Sequence, residues 1–189
     1  MKYVIFIFFS SFFIPINAQS IEFFNNNRLI LGTYKELTAS MGIGDIDGDG
    51  DADILVAYGR HWPGQNRIFV NDGRGVFTVS RNLGEEQETS YSTELADFDG
   101  DGDLDIAVGN DMAPNYILIN DGKGYFTKGS SFGETYGHTR NIVVVDIDND
   151  GDKDILITNR GSENEICLND GNGIFSKVIG FGNKKDSTI

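Results

Sequence analysis

The sequence predicts an all-β repeat fold made of four-stranded antiparallel blades, and three observations carry that reading. One acidic loop occurs three times in the same frame, starting at Asp45, Asp97 and Asp146, with spacings of 52 and 49 residues. An Asn-Asp-Gly turn recurs as Asn71-Asp72-Gly73, Asn120-Asp121-Gly122 and Asn169-Asp170-Gly171, spaced by 49 and 49. No stretch keeps a helical apolar period, while short apolar and β-branched runs bounded by turn residues fill each repeat. Four short strands in a period of roughly 40–50 residues are the signature of β-propeller blades.

At the N-terminus, Met1-Lys2-Tyr3 precedes an apolar stretch from Val4 to Ile16 and then Asn17-Ala18-Gln19-Ser20. A positive start, a short hydrophobic region and a small residue at a cut after Ala18 predict a secretory signal peptide over residues 1–18. The apolar run falls short of the ~20 residues that a membrane span needs, so no span is expected after cleavage. Residues 19–189 then form the repeat domain, secreted, periplasmic or at the cell surface.

Within that domain the repeats run over about 23–75, 76–124 and 125–173, with a partial unit at 174–189. A third marker, Leu31-Gly32, Leu83-Gly84 and Phe132-Gly133, lies 14 residues before each acidic loop. The first repeat carries three extra residues within Gly59-Arg60-His61-Trp62-Pro63-Gly64-Gln65. Repeat two shows the strands best. Thr93 to Phe98 leads into the acidic loop, Leu104 to Val108 leaves it, and Tyr116 to Ile119 follows a loop containing Pro114. Asn120-Asp121-Gly122 is a hairpin turn, because these residues tolerate positive φ, and Tyr125-Phe126-Thr127 opens the last strand. Closed propellers have about four to eight blades. Three full repeats and the start of a fourth predict an incomplete or open propeller. Either the chain continues in a longer protein, or an open arc leaves strand edges that favour self-association.

The acidic loops carry the chemistry. Position 1 is Asp45, Asp97 or Asp146, and position 3 is Asp47, Asp99 or Asp148. Position 5 is Asp49, Asp101 or Asp150, and position 9 is Asp53, Asp105 or Asp154. Carboxylates at 1, 3, 5 and 9 can wrap a hard cation such as Ca2+, which takes six to eight oxygens. Position 7 (Asp51, Asp103, Asp152) is expected to offer its backbone carbonyl. Position 6 is always glycine (Gly50, Gly102, Gly151), and position 4 is Gly48, Gly100 or Asn149, as a tight turn at positive φ requires. Ile46, Phe98 and Ile147 at position 2 should point into the sheet packing. An EF-hand would need a Glu at position 12, where Val56, Val108 and Ile157 stand. Zinc would want His or Cys, and magnesium fewer protein oxygens. Five like charges in nine residues repel by ~1–4 kcal/mol per close pair, so about three calcium ions, one per loop, are expected.

At these residues the chain resembles the FG-GAP/VCBS repeat family, best known from the propellers of integrin α-subunits. The resemblance rests on the alternating Asp, the glycine at position 6 and the following strands with Ala57-Tyr58-Gly59 or Ala107-Val108-Gly109, and it covers roughly 23–182. It implies one calcium per loop, stabilising each blade, and it brings no catalytic residue.

Composition narrows the function further. The net charge of -14 is concentrated in the loops, and no Lys/Arg cluster offers a surface for nucleic acid. The single cysteine, Cys167, excludes an internal disulfide and falls where Phe69 and Leu118 fall, as a small buried hydrophobe. His61 and His138 lie in no nucleophile or zinc motif and read as solvated loop residues. Trp62, beside His61 on the insertion, is the candidate for stacking on a sugar or anchoring a protein. The expected function is a non-catalytic binding or adhesion module for a protein or carbohydrate ligand. The alternatives are a scaffold piece of an extracellular carbohydrate-active or other hydrolytic enzyme, and a structural spacer.

Overall fold

The structure, a computed structural model, describes residues 36–77 and 79–183. The predicted signal peptide and the Leu31-Gly32 marker lie outside them. Among the described residues twelve strands form three separate four-stranded antiparallel sheets in simple meander order. The first sheet holds β1 (Thr38–Gly44), β2 (Asp53–Tyr58), β3 (Arg67–Val70) and β4 (Val79–Asn82). The second holds β5 (Ser90–Ala96), β6 (Asp105–Asn110), β7 (Asn115–Asn120) and β8 (Phe126–Phe132). The third holds β9 (Thr139–Val145), β10 (Asp154–Asn159), β11 (Asn164–Leu168) and β12 (Lys177–Phe181). The architecture is therefore all-β and not closed into a barrel, as a set of incomplete propeller-like blades.

The sheets are out of phase with the repeat frame read from the sequence. The frame cuts at 75/76, inside the hairpin that joins β3 to β4, whereas the hydrogen bonds place the boundaries between 82 and 90 and between 132 and 139. The segment assigned to a fourth unit at 174–189 supplies β12, the outer strand of the third sheet. A periodic sequence has no intrinsic starting point, and only the pairing of Ile166 with Ile179 and Cys167 with Val178 fixes where this unit ends.

Strand alternation gives each sheet two apolar faces. In the first sheet Gly42, Leu55 and Ile68 are cross-strand neighbours on the face turned toward the second sheet. The second sheet answers with Leu95, Ile106, Val108, Tyr116 and Leu118, and these side chains form one core. Its other face sends Ala96, Phe98, Ala107 and Ile117 into a second core with Ile142, Ile155, Ile157 and Cys167 of the third sheet. Two glycines make the first contact close. Leu95 occupies the space over Gly42, and Leu104 with Leu95 the space over Gly44, where a larger residue would push the sheets apart. Each fully buried aliphatic or aromatic side chain adds ~1.5–3 kcal/mol of transfer free energy. The intersheet layers are thus the main apolar contribution to stability.

Cys167 is fully buried in the second core, as its place in the repeat predicts. Burial first, and Glu165 after it, push its thiol up to about 12. Position 2 of the acidic loops behaves unequally: Ile46 and Phe98 are 1% exposed, but Ile147 is 38% exposed. Ile46 and Phe98 each lie under a following sheet, and among the described residues no sheet follows the third.

Candidate metal centres

Each acidic loop links the first strand of a sheet to its second: β1 to β2, β5 to β6 and β9 to β10. Turn geometry is set by the residues at positions 4 and 6. Gly48 and Gly50 have φ of 74° and 93°, Gly100 and Gly102 79° and 96°, and Asn149 and Gly151 62° and 105°. Only glycine, or asparagine at some cost, takes such angles readily. The position-1 carboxylate then caps the turn. Asp45 accepts the N–H of Gly48 at 2.9 Å and of Gly50 at 3.0 Å. Asp97 accepts those of Gly100 and Gly102, and Asp146 that of Gly151.

The folded loops bring three carboxylates together in each copy. They are Asp45, Asp47 and Asp53 in the first, Asp97, Asp99 and Asp101 in the second, and Asp146, Asp148 and Asp154 in the third, with ligand atoms within 4.8 Å of one another. Three acidic clusters could therefore hold metal ions. Positions 1 and 3 converge in every loop. Position 5 joins only through Asp101, and position 9 only through Asp53 and Asp154. All three position-5 residues, Asp49, Asp101 and Asp150, accept the backbone N–H two residues on, at 2.9, 2.9 and 3.0 Å.

Position 9 has a structural duty that the spacing alone does not reveal. Asp53, Asp105 and Asp154 are all fully buried. One oxygen of each accepts the N–H of the position-2 residue: Ile46 at 3.0 Å, Phe98 at 2.9 Å and Ile147 at 3.0 Å. The other accepts the N–H of the hairpin asparagine: Asn71 at 2.8 Å, Asn120 at 2.8 Å and Asn169 at 2.9 Å. One carboxylate thus pins the acidic loop and the outer hairpin together. Position 7 points elsewhere. The Asp51, Asp103 and Asp152 carboxylates abut the hairpin glycines Gly73, Gly122 and Gly171.

The electrostatics fit a cation. Burial, and then the neighbouring Asp53 and Asp49, raise the Asp47 carboxyl above its usual value. Burial is also the leading cause for Asp99, with Asp101 and Asp97 adding to it. Asp105 is pushed up to about 6, chiefly by burial, against the opposing hydrogen bonds from Asn120 and Phe98. Oδ1 of Asp47 and Oδ1 of Asp146 are buried and have no hydrogen-bond partner among the described residues. An acceptor oxygen removed from water without a donor costs ~1–3 kcal/mol or more when charged, and a bound cation would remove that cost.

The opposite ends of the strands carry a second polar cluster. His61 Nδ1 lies 3.1 Å from the Tyr91 hydroxyl, and the Arg140 guanidinium stacks 4.3 Å from the centre of the Tyr91 ring. Arg140 also pairs with Asp111 at 3.1 Å, and His138 Nδ1 lies 2.7 Å from the same carboxylate oxygen. Burial alone would raise the Asp111 carboxyl; the hydrogen bonds from Arg140 and His138 outweigh it and hold it below its usual value. So the two histidines are exposed, as read from sequence, but each is hydrogen-bonded. His61 lines a cleft of about 540 Å3 with Glu86, Glu88, Asp111 and Lys128. Trp62 stays outside that lining and is 72% exposed. The insertion itself is fastened to the segment that leads into β5 by Gly64 and Glu88, which exchange two backbone hydrogen bonds. Tyr91, Asp111 and Arg140 were missed by sequence reading, because three different sheets contribute to the cluster. The available signal was the repeat alignment, in which Ala39, Tyr91 and Arg140 occupy one position and differ sharply.

Among the described residues no helix is long and apolar enough to cross a membrane. No curated protein matches the chain. A family model described as FG-GAP-like repeat matches it twice, over residues 45–108 and 97–157. Each match opens on an acidic loop and closes within the strand that leaves the next one. Together they span well over half of the 189 residues, and the chain belongs to the FG-GAP-like repeat family.

Proposed function

We propose that this chain is an extracellular, calcium-stabilised repeat module that binds a partner and does not turn over a substrate. The observation that carries the metal assignment is the pair of buried carboxylate oxygens on Asp47 and Asp146 without a hydrogen-bond partner among the described residues, each within an all-oxygen cluster of three Asp. Oxygen-only donors in a flexible loop suit calcium better than zinc, and better than magnesium, which keeps its waters. The ion's work is structural. It neutralises the loop between the two inner strands, so that position 9 can hold the hairpin. Carboxylates held by a cation and by backbone N–H groups are poor proton donors, which supports a non-catalytic role. Secretion rests on the signal-like N-terminus, and the family's usual extracellular setting agrees with it.

The ligand face is assigned to the strand ends opposite the acidic loops. There the exposed Trp62 ring and the His61–Tyr91–Arg140 cluster offer aromatic and polar surface to a protein or carbohydrate. The hydrolase-scaffold alternative draws on the carboxylates of the cleft. Glu88, however, is committed there: it accepts the Tyr116 hydroxyl at 2.6 Å and the Asn110 amide at 3.1 Å.

Calorimetric titration of chelator-treated protein tests the metal assignment. Calcium should bind at three sites, and Asp47→Asn should remove one. Absence of binding heat, with a melting temperature unmoved by chelation, would sink it. Screening against glycans and extracellular proteins, with Trp62→Ala as the loss-of-binding control, tests the ligand face. Hydrolysis of glycoside reporters, lost in Glu86→Gln, would favour the enzyme-scaffold alternative.

A further inference from the structure

Met112 and Asn149 are the non-glycine residues with positive φ among the described residues, at 58° and 62°. Asn149 belongs to an acidic loop, whose turn requires it. Met112 lies in the loop between β6 and β7, at the end opposite the acidic loops. One period later the same position is Gly161, with φ of 76°, and the first copy has its insertion there. The backbone at this position therefore favours glycine, and the second copy puts a long apolar side chain on it. The loop is held firmly. Asn110 N–H donates to the Asn115 side-chain oxygen at 2.7 Å, and the Asn110 amide donates to Pro114 O at 2.9 Å. Asp111 N–H donates to Thr89 O and Met112 N–H to Gly137 O, both at 2.9 Å. The Met112 side chain is nevertheless 67% exposed, so packing within this chain does not account for it. A strained backbone that presents apolar surface to water points to a contact with another molecule.

Two more large exposed side chains stand beside it. Tyr136 is next to Gly137, whose carbonyl takes the Met112 N–H. Trp62 is flanked by His61 and Pro63, which line the same cleft as Met112 and Pro114. The charges of this cleft are unbalanced. Glu86, Glu88 and Asp111 line it with Lys128, and the adjoining groove adds Glu85. Arg140 answers Asp111. Lys128 lies over the Tyr116 ring, its ammonium 3.9 Å from the centre. Carboxylates remain in excess, and Glu85 and Glu86 are exposed.

We propose that this cleft docks a basic polypeptide segment of a partner protein, with Met112 as the apolar anchor and Glu85 and Glu86 selecting its charge. The inference rests on the ligand-face reading and narrows it to one of its two ligand classes. Methionine favours a polypeptide. Its flexible thioether adapts to aliphatic and aromatic side chains, and such side chains recur at protein-binding surfaces. A sugar ring, by contrast, stacks on a flat aromatic face. The carboxylate excess favours a basic segment, because it speeds the approach of cations and rejects acidic chains.

Panning a displayed library of random peptides against the full chain in saturating calcium tests the proposal, since filled acidic loops no longer compete for basic sequences. Enriched peptides should carry Lys or Arg close to a large apolar residue. Met112→Gly should weaken their binding by about tenfold or more. Its melting temperature should be unchanged or higher, because glycine suits the backbone there. Glu86→Lys and added salt should each weaken binding, whereas Glu163→Lys, the same reversal on an exposed loop of the third sheet, should not. Enrichment of acidic or uncharged peptides, or no enrichment, overturns the proposal. So does binding indifferent to Met112→Gly, a lower melting temperature in that variant, or an equal loss in Glu163→Lys. Glycan binding lost in Trp62→Ala, with no basic peptide enriched, overturns it and leaves the ligand-face reading standing. Absence of both peptide and glycan binding sinks the two together.

Discussion

Asn120 offers the sharpest separation between a turn former and a staple. Asparagine and aspartate serve a hairpin turn about equally, so a turn former should tolerate Asn120→Asp. The structure gives Asn120 more to do. It is 4% exposed, and its amide donates to Ile46 O at 2.8 Å in the first sheet and to Leu104 O at 3.0 Å in its own. Its carbonyl oxygen accepts the Gly124 N–H at 3.0 Å, which a carboxylate would keep. Asn120→Asp therefore removes two donor bonds, at ~0.5–1.5 kcal/mol each, and leaves two buried carbonyls facing a charge, at ~1–3 kcal/mol more. The expected loss is ~2–6 kcal/mol, or about 4–24 °C in melting temperature at ~2–4 °C per kcal/mol for a domain of this size. Asp121→Asn is the control. Asp121 Oδ1 accepts the N–H groups of Lys123 and Tyr125 on the exposed turn, and an amide oxygen can replace it. Thermal unfolding followed by circular dichroism in calcium reads both variants. If Asn120→Asp melts within two degrees of the parent, the intersheet staple is not a stabilising feature and the reasoning fails.

Other outcomes follow from the same geometry. At free calcium 100-fold above its dissociation constant, each occupied loop should add ~2.7 kcal/mol, seen as a stepwise rise in melting temperature on titration. In metal-free protein, the Asp105 carboxyl, raised to about 6, should make stability fall as pH rises from about 4 to 6, because the folded state holds the proton more tightly than the unfolded chain. Calcium should reverse that slope, and parallel melting curves at several pH values with and without metal check it. Gly171→Ala should destabilise by more than ~1 kcal/mol, since φ there is 80° and a Cβ would sit 2.6 Å from Asp152 Oδ2; Gly151→Ala, with φ 105° but open space, tests the backbone part alone. Cys167 should stay unreactive to a thiol reagent until denaturant is added, and labelling of the native protein would contradict its burial.

The metal loops were readable from sequence because their geometry is local. Glycine or asparagine at positions 4 and 6 can be named from the φ requirement, and positions 1 and 3 meet because a nine-residue loop leaves them no alternative. Position 9 was harder. It reads as one more carboxylate, yet Asp105 is occupied by the N–H groups of Phe98 and Asn120, and the second lies 15 residues away along the chain. The asparagines at 66, 115 and 164 repeat at the period of 49, so that signal was present. Its meaning depended on which hydroxyl lay across the intersheet gap: Ser90 for Asn66, at 2.8 Å, and Thr139 for Asn115, at 3.0 Å. Trp62 shows the reverse. Its exposure could be expected from a Gly- and Pro-flanked insertion, but not its place outside the cleft that His61 lines.

Sequence alone determined the strand-based fold class, the period, and three acidic loops able to hold cations. These follow from residue spacing and backbone tolerance within a few positions of one another. Tertiary structure alone decided where each sheet begins, that β12 completes the third one, and which apolar faces are covered. It also assembled His61, Tyr91, Asp111 and Arg140 from three sheets into one cluster. Those outcomes depend on strand pairing and on the packing of one sheet against the next. Such contacts join residues dozens of positions apart, and no local pattern in the chain encodes them.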